Sequence, residues 1–221
     1  MKTIVITGAG SGLGKELALQ YAKKGSTIIL IGKRQPPLLT VTDQIKQLGG
    51  RAFAYPLDIR DYAAVQETVE QIIKKHSVSC LINNAGVGHF GPLSTLSHEQ
   101  INDMIETNTK GVIFMTKAFL PHFHSLKEAS IINIISTAGL RGKVNESVYV
   151  ASKFAIRGFS ESLVKELENT NIAVTAVYMG GMDTPFWEGT DHIKDRSRLR
   201  SAKEVAQEII AQYNRQAEII I

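Results

Sequence analysis

The sequence predicts an α/β fold: a doubly wound parallel sheet of about seven strands with helices on both faces. Three observations carry that expectation. Short apolar runs rich in β-branched residues alternate with longer segments of helical period, the pattern of repeated βαβ units. The first run enters a glycine-rich turn, and helical periodicity starts at once. No 20–50-residue repeat, low-complexity tract or linker interrupts the alternation, so residues 1–221 read as a single domain. The right-handed crossover rule then selects the doubly wound topology.

The strands are expected near 3–7, 27–31, 51–57, 78–82, 130–135, 172–178 and 217–221. The segments between them read as helices. Leu13, Leu17 and Tyr21 share one face of the first, and Val65, Val69, Ile72 and Ile73 share one face of the third. Gly25 and the Gly49-Gly50 pair stand where helices should stop, and Pro36-Pro37 where one should start. Two longer helices are expected near 97–120 and 148–169.

An apolar fraction of 43%, a charged fraction of 21% and a net charge of +4 are ordinary for a globular chain of 221 residues. Lys and Arg are scattered through the helical stretches and form no basic face with interleaved aromatics, so no nucleic-acid partner is expected. Cys80 is the single cysteine and lies in an apolar run, which excludes an internal disulfide and predicts a buried, inert thiol. Too few residues separate Lys2 from Gly8 for a signal-peptide core, and no apolar run approaches a membrane span. A cytoplasmic protein without a membrane partner is expected. His122 and His124 are two apart on a predicted helix and point in different directions, so no metal site is expected.

The first strand runs into Thr7-Gly8-Ala9-Gly10-Ser11-Gly12-Leu13-Gly14. A glycine-rich strand-to-helix turn lets the backbone approach a phosphate, and the helix N-terminus adds unpaired N–H groups and a positive dipole end. A strict G-x-G-x-x-G would need glycine at Leu13, and a Walker-type loop fails at Ala9 and at Glu16. Thr-Gly-x-x-x-Gly-x-Gly remains, with Gly8, Ser11, Gly12, Leu13 and Gly14 as candidate cofactor contacts. The second strand ends in Lys33 and Arg34, where a fold that binds NAD places an acidic residue for the ribose 2′-hydroxyl. Two cations there favour a 2′-phosphate, each contact contributing about 1.5–3 kcal/mol. NADP(H) is therefore expected over NAD(H), the alternative being two solvated loop charges.

Tyr149 and Lys153 are four residues apart on a predicted helix, which stacks a phenol against an ammonium. A cation at roughly 5 Å in an effective dielectric of about 20 favours the phenolate by about 3 kcal/mol, or about two pKa units. The same spacing is common on ordinary helix surfaces, so its meaning depends on the rest of the chain.

With that pair and the glycine turn in place, the chain resembles the short-chain dehydrogenase/reductase family over nearly its whole length. Further segments match in the right order. The resemblance implies a Rossmann-like fold in which Asn83-Asn84-Ala85-Gly86 steadies the sheet, with Asn84, Ala85 and Gly86 bordering the cofactor. It implies that Asp58 meets the adenine, and that Asn108, Ser136, Tyr149 and Lys153 form the catalytic tetrad, Ser136 thirteen residues before the tyrosine. Where the family has Pro-Gly and then threonine, this chain reads Met179-Gly180-Gly181-Met182-Asp183-Thr184. Gly180 and Thr184 keep their places, Thr184 for the nicotinamide carboxamide, while Met179 frees a backbone φ and predicts a more mobile loop.

The activity implied is hydride transfer between nicotinamide and a small carbonyl or alcohol. Tyr149 would be general acid and base, and Lys153 would lower its pKa and bond the nicotinamide ribose. Ser136 would fix the carbonyl oxygen, and Asn108 would hold a water chain to Lys153. The rival is a regulatory protein that binds NADP(H) on the same fold without turnover, against which the full tetrad argues. His89, Phe90, Leu140, Val144, Phe186 and Trp187 are either pocket walls or packing. The stretch 194–200, with four cations, is either a solvated lid or an attractor of anions. Self-association as a homodimer or homotetramer is expected through the two long helices, whose apolar content exceeds what one sheet-facing side requires. The chain stops soon after its last strand, which weakens expectations about substrate cover and assembly.

Overall fold

The computed structural model describes residues 2–221. Seven strands form one parallel sheet: β1 (Thr3–Thr7), β2 (Thr27–Gly32), β3 (Arg51–Pro56), β4 (Val78–Asn83), β5 (Ala129–Ile134), β6 (Ile172–Tyr178) and β9 (Glu218–Ile220). Their order is β3-β2-β1-β4-β5-β6-β9, so the winding reverses between β1 and β4. In a doubly wound sheet that reversal opens a crevice at the carboxyl ends of the strands. Each strand lies within two residues of its expected limits.

Side chains alternate across the sheet into two apolar layers. Ile4, Ile6, Ile28 and Leu30 pack with α1 (Gly12–Lys23), α2 (Gln35–Gln47) and α7 (Ala202–Gln212) on one face. Val5, Ile29 and Ile31 pack with α3 (Tyr62–Lys75), α5 (Val112–His124) and α6 (Ser147–Glu166) on the other. Both faces are thus buried, which is why the central strands read as unbroken apolar runs. Gly25 (φ +85) and Gly49 (φ +76) terminate α1 and α2 in the left-handed conformation that only glycine adopts without cost. Asp61 caps α3 by accepting from the Ala64 N–H at 3.0 Å, and Ser97 caps α4 (His98–Ile105) with a reciprocal Gln100 bond. Cys80 is buried and unpaired, as expected, and burial pushes its thiol up to about 12.

Two features depart from the sequence reading. The expected helix over 97–120 is interrupted by a π-helical turn, Glu106–Gly111, between α4 and α5. One extra residue per turn swings Asn108 inward, and Gly111 supplies the clearance, since a Cβ there would lie 2.6 Å from Ile59. The second is a short parallel pair, β7 (Met182–Asp183) with β8 (Arg200–Ser201), which closes the segment between them into a loop over the crevice. In that loop Arg196 donates to the Trp187 carbonyl at 2.6 Å, Arg198 lies 3.5 Å from Asp195, and Arg200 pairs with Glu208 at 2.6 Å. Three of the cations at 194–200 are therefore spent on local partners.

Candidate active site

The crevice floor is the β1–α1 turn. Buried Thr7 accepts from the Asn84 and Ala85 N–H groups, both at 3.0 Å, and the Asn84 side-chain amide donates to the Thr7 carbonyl at 2.9 Å. These bonds tie the ends of β1 and β4 together at the reversal. Gly8 (φ +64) makes the turn, while Gly14 is needed for packing: a Cβ there would lie 2.4 Å from the Gly8 carbonyl oxygen. Gly14 does not line the cavity; Gly8, Ser11, Gly12 and Leu13 do. Ser11 is the N-cap of α1 but makes no side-chain cap bond, so the first N–H groups of α1 are left to the crevice.

At the end of β2 an adjoining recess of about 240 Å³ is bordered by Gly10, Lys33, Arg34, Asp58, Ala85 and Gly86, among others. Arg60 grips Asp58 with its Nε and Nη2 atoms at 2.7–3.0 Å and Asp103 at 3.0 Å, and Lys33 stands 3.5 Å from Asp58. Partial burial works to raise the Asp58 pKa, but the Arg60 hydrogen bonds and the Lys33 charge outweigh it and hold the carboxyl below its usual range. Arg34 has no ion-pair partner among the described residues and borders both the recess and the main cavity.

The main cavity, about 570 Å³, runs from the glycine turn to Ser136, Tyr149 and Lys153. Tyr149 and Lys153 are 7% and 6% exposed, with the ammonium nitrogen 5.6 Å from the phenol ring centre and 3.4 Å from the Ile134 carbonyl. The Tyr149 phenol stands above its ordinary pKa, not below it as expected. Burial raises the phenol above its ordinary value, with the Glu146 charge adding to the rise and the Ser136 hydroxyl bond opposing it. Burial also pushes Lys153 down to about 8, because the same dry surroundings that make a phenolate costly make an ammonium costly. Ser136 holds backbone angles of φ 120° and ψ 154°, and its hydroxyl also accepts from the Ala138 N–H at 3.2 Å.

Asn108 lies behind this group and does not line the cavity. Its amide donates to the Val87 carbonyl (2.8 Å) and the Ser152 hydroxyl (3.0 Å), and its oxygen accepts from the Val87 N–H (2.8 Å). Both donors are spent on protein, so Asn108 clamps the strand end beyond Gly86 to α6 beside Lys153.

In the substrate half of the crevice His89, Phe186 and Trp187 line the cavity, and Phe90 packs behind them against Tyr149 (5.5 Å) and Trp187 (5.1 Å). Leu140 and Val144 do not. Leu140 packs with Ile156 and Tyr178, and Val144 is 84% exposed, because the chain turns outward before α6. Gly180 and Thr184 both line the cavity, the threonine facing Gly12 across it. The Met179 carbonyl accepts from the Thr137 N–H at 2.9 Å. Four residues that sequence reasoning missed belong here: Thr7, Arg60, Glu146 and His192. Only Thr7 carried a signal, as the residue that opens the glycine turn. Among the described residues there is no group of three or more His, Cys, Asp or Glu that could hold a metal, and no helix long and apolar enough to cross a membrane.

A helix N-terminus free of side-chain caps, a glycine turn that admits close approach, and a phenol, hydroxyl and amine in the same cavity fit a nicotinamide dinucleotide. Known proteins point the same way. The family model for short chain dehydrogenases matches residues 2–194. A 3-oxoacyl-(acyl-carrier-protein) reductase of Thermotoga maritima is 32% identical over 188 residues, covering 85% of this chain and 76% of that protein. A short-chain dehydrogenase from Sphingobium yanoikuyae in complex with NADPH superposes with a TM-score of 0.91 at 25% identity, over 100% of this chain and 87% of the other. One from Burkholderia phymatum in complex with NAD gives 0.88 at 25% identity, over 99% and 88%. With the family pattern spanning most of the chain and the fold matching over all of it, this protein belongs to the short-chain dehydrogenase/reductase family of oxidoreductases.

Proposed function

We propose that the protein is an NADP(H)-dependent oxidoreductase acting on a small carbonyl or alcohol, with Tyr149 as general acid and base. One observation carries the reading: Ser136, Tyr149 and Lys153 share a single cavity with the glycine turn. A bound nicotinamide would supply or accept the hydride at the carbonyl carbon. In reduction Tyr149 gives its phenolic proton to the carbonyl oxygen as negative charge develops there, and in oxidation its phenolate takes that proton back. The burial that raises its pKa keeps the proton on the phenol at neutral pH, as an acid requires. The Ser136 hydroxyl donates to the same oxygen and fixes its position. Lys153, as an ammonium, favours the phenolate form and would bond the nicotinamide ribose. Asn108 is a positioning residue that sets α6 against the strand end.

Gly8, Ser11, Gly12 and Leu13 would hold the pyrophosphate, with Asn84, Ala85 and Gly86 along the dinucleotide, Asp58 at the adenine and Thr184 at the carboxamide. Lys33 and Arg34 would take the 2′-phosphate. Lys33 already shares Asp58 with Arg60, so Arg34 is the stronger of the two. Oxidation of NADPH against a panel of aldehydes, ketones and quinones tests the activity. Tyr149→Phe is expected to lower kcat by about 10²–10⁴-fold while NADPH fluorescence shows binding intact. Binding without turnover on any substrate would favour a regulatory role instead.

A further inference from the structure

We propose that Glu146 is a specificity-determining residue whose carboxylate, pinned by His192, selects carbonyl substrates that carry a hydroxyl or amino donor on a flat apolar body. This rests on the reductase reading above. Glu146 is 7% exposed and lines the cavity, yet none of the proposed chemistry uses it. A carboxylate so buried is costly unless something holds it. The fold does not need it there: Glu146 is the N-cap of α6, but its side chain makes no cap bond to the helix N–H groups. It turns to the crevice instead.

Its Oε1 takes the His192 Nε2 atom at 2.9 Å. An ionised carboxylate only accepts, so the imidazole nitrogen donates. The His192 ring is itself stacked on Phe90 at 4.6 Å with an interplanar angle of 14°, which fixes the carboxylate in direction. Among the described residues the second oxygen, Oε2, has one polar neighbour, the Lys143 ammonium, which also lines the cavity but at 4.0 Å is beyond hydrogen-bond reach. Its lone pairs remain for a ligand. Phe90 also meets the Tyr149 ring at 5.5 Å, so one aromatic enclosure connects the acceptor to the proton donor. A planar apolar ketone would fill that enclosure, and a donor at its far end would satisfy Oε2. An anionic group there would meet the carboxylate's charge.

The test measures kcat/KM for NADPH-dependent reduction of acetophenone and its 3- and 4-hydroxy, methoxy and carboxy derivatives. The hydroxy ketone that fits is expected to exceed its methyl ether by about tenfold or more, chiefly through KM, with the carboxylated ketones worst. Glu146→Leu should bring the hydroxy-to-methoxy ratio within about twofold. Glu146→Gln, nearly isosteric and the least threat to folding, should reduce the ratio at least about threefold and improve the carboxylated ketones. Equal use of hydroxy and methoxy ketones by the wild type, or a ratio unchanged in the variants, would overturn the proposal and leave the reductase reading intact. Failure to reduce any ketone, acetophenone and aldehyde controls included, would sink the reductase reading and this one with it.

Discussion

Ser136 occupies backbone angles that are close to a glycine-only region, at a cost on the order of 1–3 kcal/mol. The surrounding bonds hold it there, with Thr137 N–H on the Met179 carbonyl and Ala138 N–H on the Ser136 hydroxyl. Ser136→Ala keeps that strain and Ser136→Gly releases it, while both lose the hydroxyl. In denaturant melts the glycine variant should therefore be more stable than the alanine variant by about 1–2 kcal/mol, and both should lose most turnover. Lys153 stores a cost of a different kind. The unfolded chain keeps this proton to about 10.5 and the folded one releases it near 8, so the penalty is full below pH 8 and fades as pH rises between those values. At pH 7 Lys153→Met should be more stable than wild type by up to roughly 3 kcal/mol, and the gap should close toward pH 10. Taking the difference removes the buried phenols and Cys80, which lose stability in the opposite sense as the unfolded thiol and phenols ionise. A gap that widens with pH would contradict the assignment. That Ser136, Tyr149 and Lys153 would lie together was legible in the sequence, but their protonation was not, because i,i+4 spacing says nothing about how dry the pair is.

At the scale of elements, the strands were legible and the π turn was not. β1, β2, β4, β5 and β6 are covered on both faces and so read as apolar runs, whereas one inserted residue at Glu106–Gly111 leaves helical periodicity almost unchanged on either side. The β7–β8 pair, two residues long on each side, has no periodicity to read. The Glu146–His192 contact was illegible for a like reason: its 2.9 Å bond is set by a loop closing across 46 residues. The π turn makes Asn108 a three-bond clamp, and its amide donors matter to the fold as well as to the site. Asn108→Asp leaves the Val87 carbonyl and Ser152 hydroxyl without their donor and sets a buried charge beside the carbonyl. A loss of about 2–4 kcal/mol follows, read as a shift of the urea midpoint without a change in slope. Stability within about 0.5 kcal/mol of wild type would show that the clamp is not needed.

Across the whole molecule, the crevice at the β1–β4 reversal joins helices from both layers: α1 from one face, α6 from the other. A dinucleotide bound there would bridge both halves and bind only the folded chain, so its affinity adds to global stability as RT ln(1 + [L]/Kd). At a hundred times Kd this is about 2.7 kcal/mol, which for a domain of this size raises Tm by about 5–10 °C. NADPH should produce such a shift and NADH a smaller one at equal concentration, since only the former offers a 2′-phosphate to Lys33 and Arg34. Substituting both cations by alanine should erase the difference between the cofactors and leave the NADH shift in place, because the glycine turn and the N-terminus of α1 do not depend on them. Equal shifts in the wild type would mean that Lys33 and Arg34 are solvated charges after all, with Asp58 and Arg60 satisfying one another at the recess.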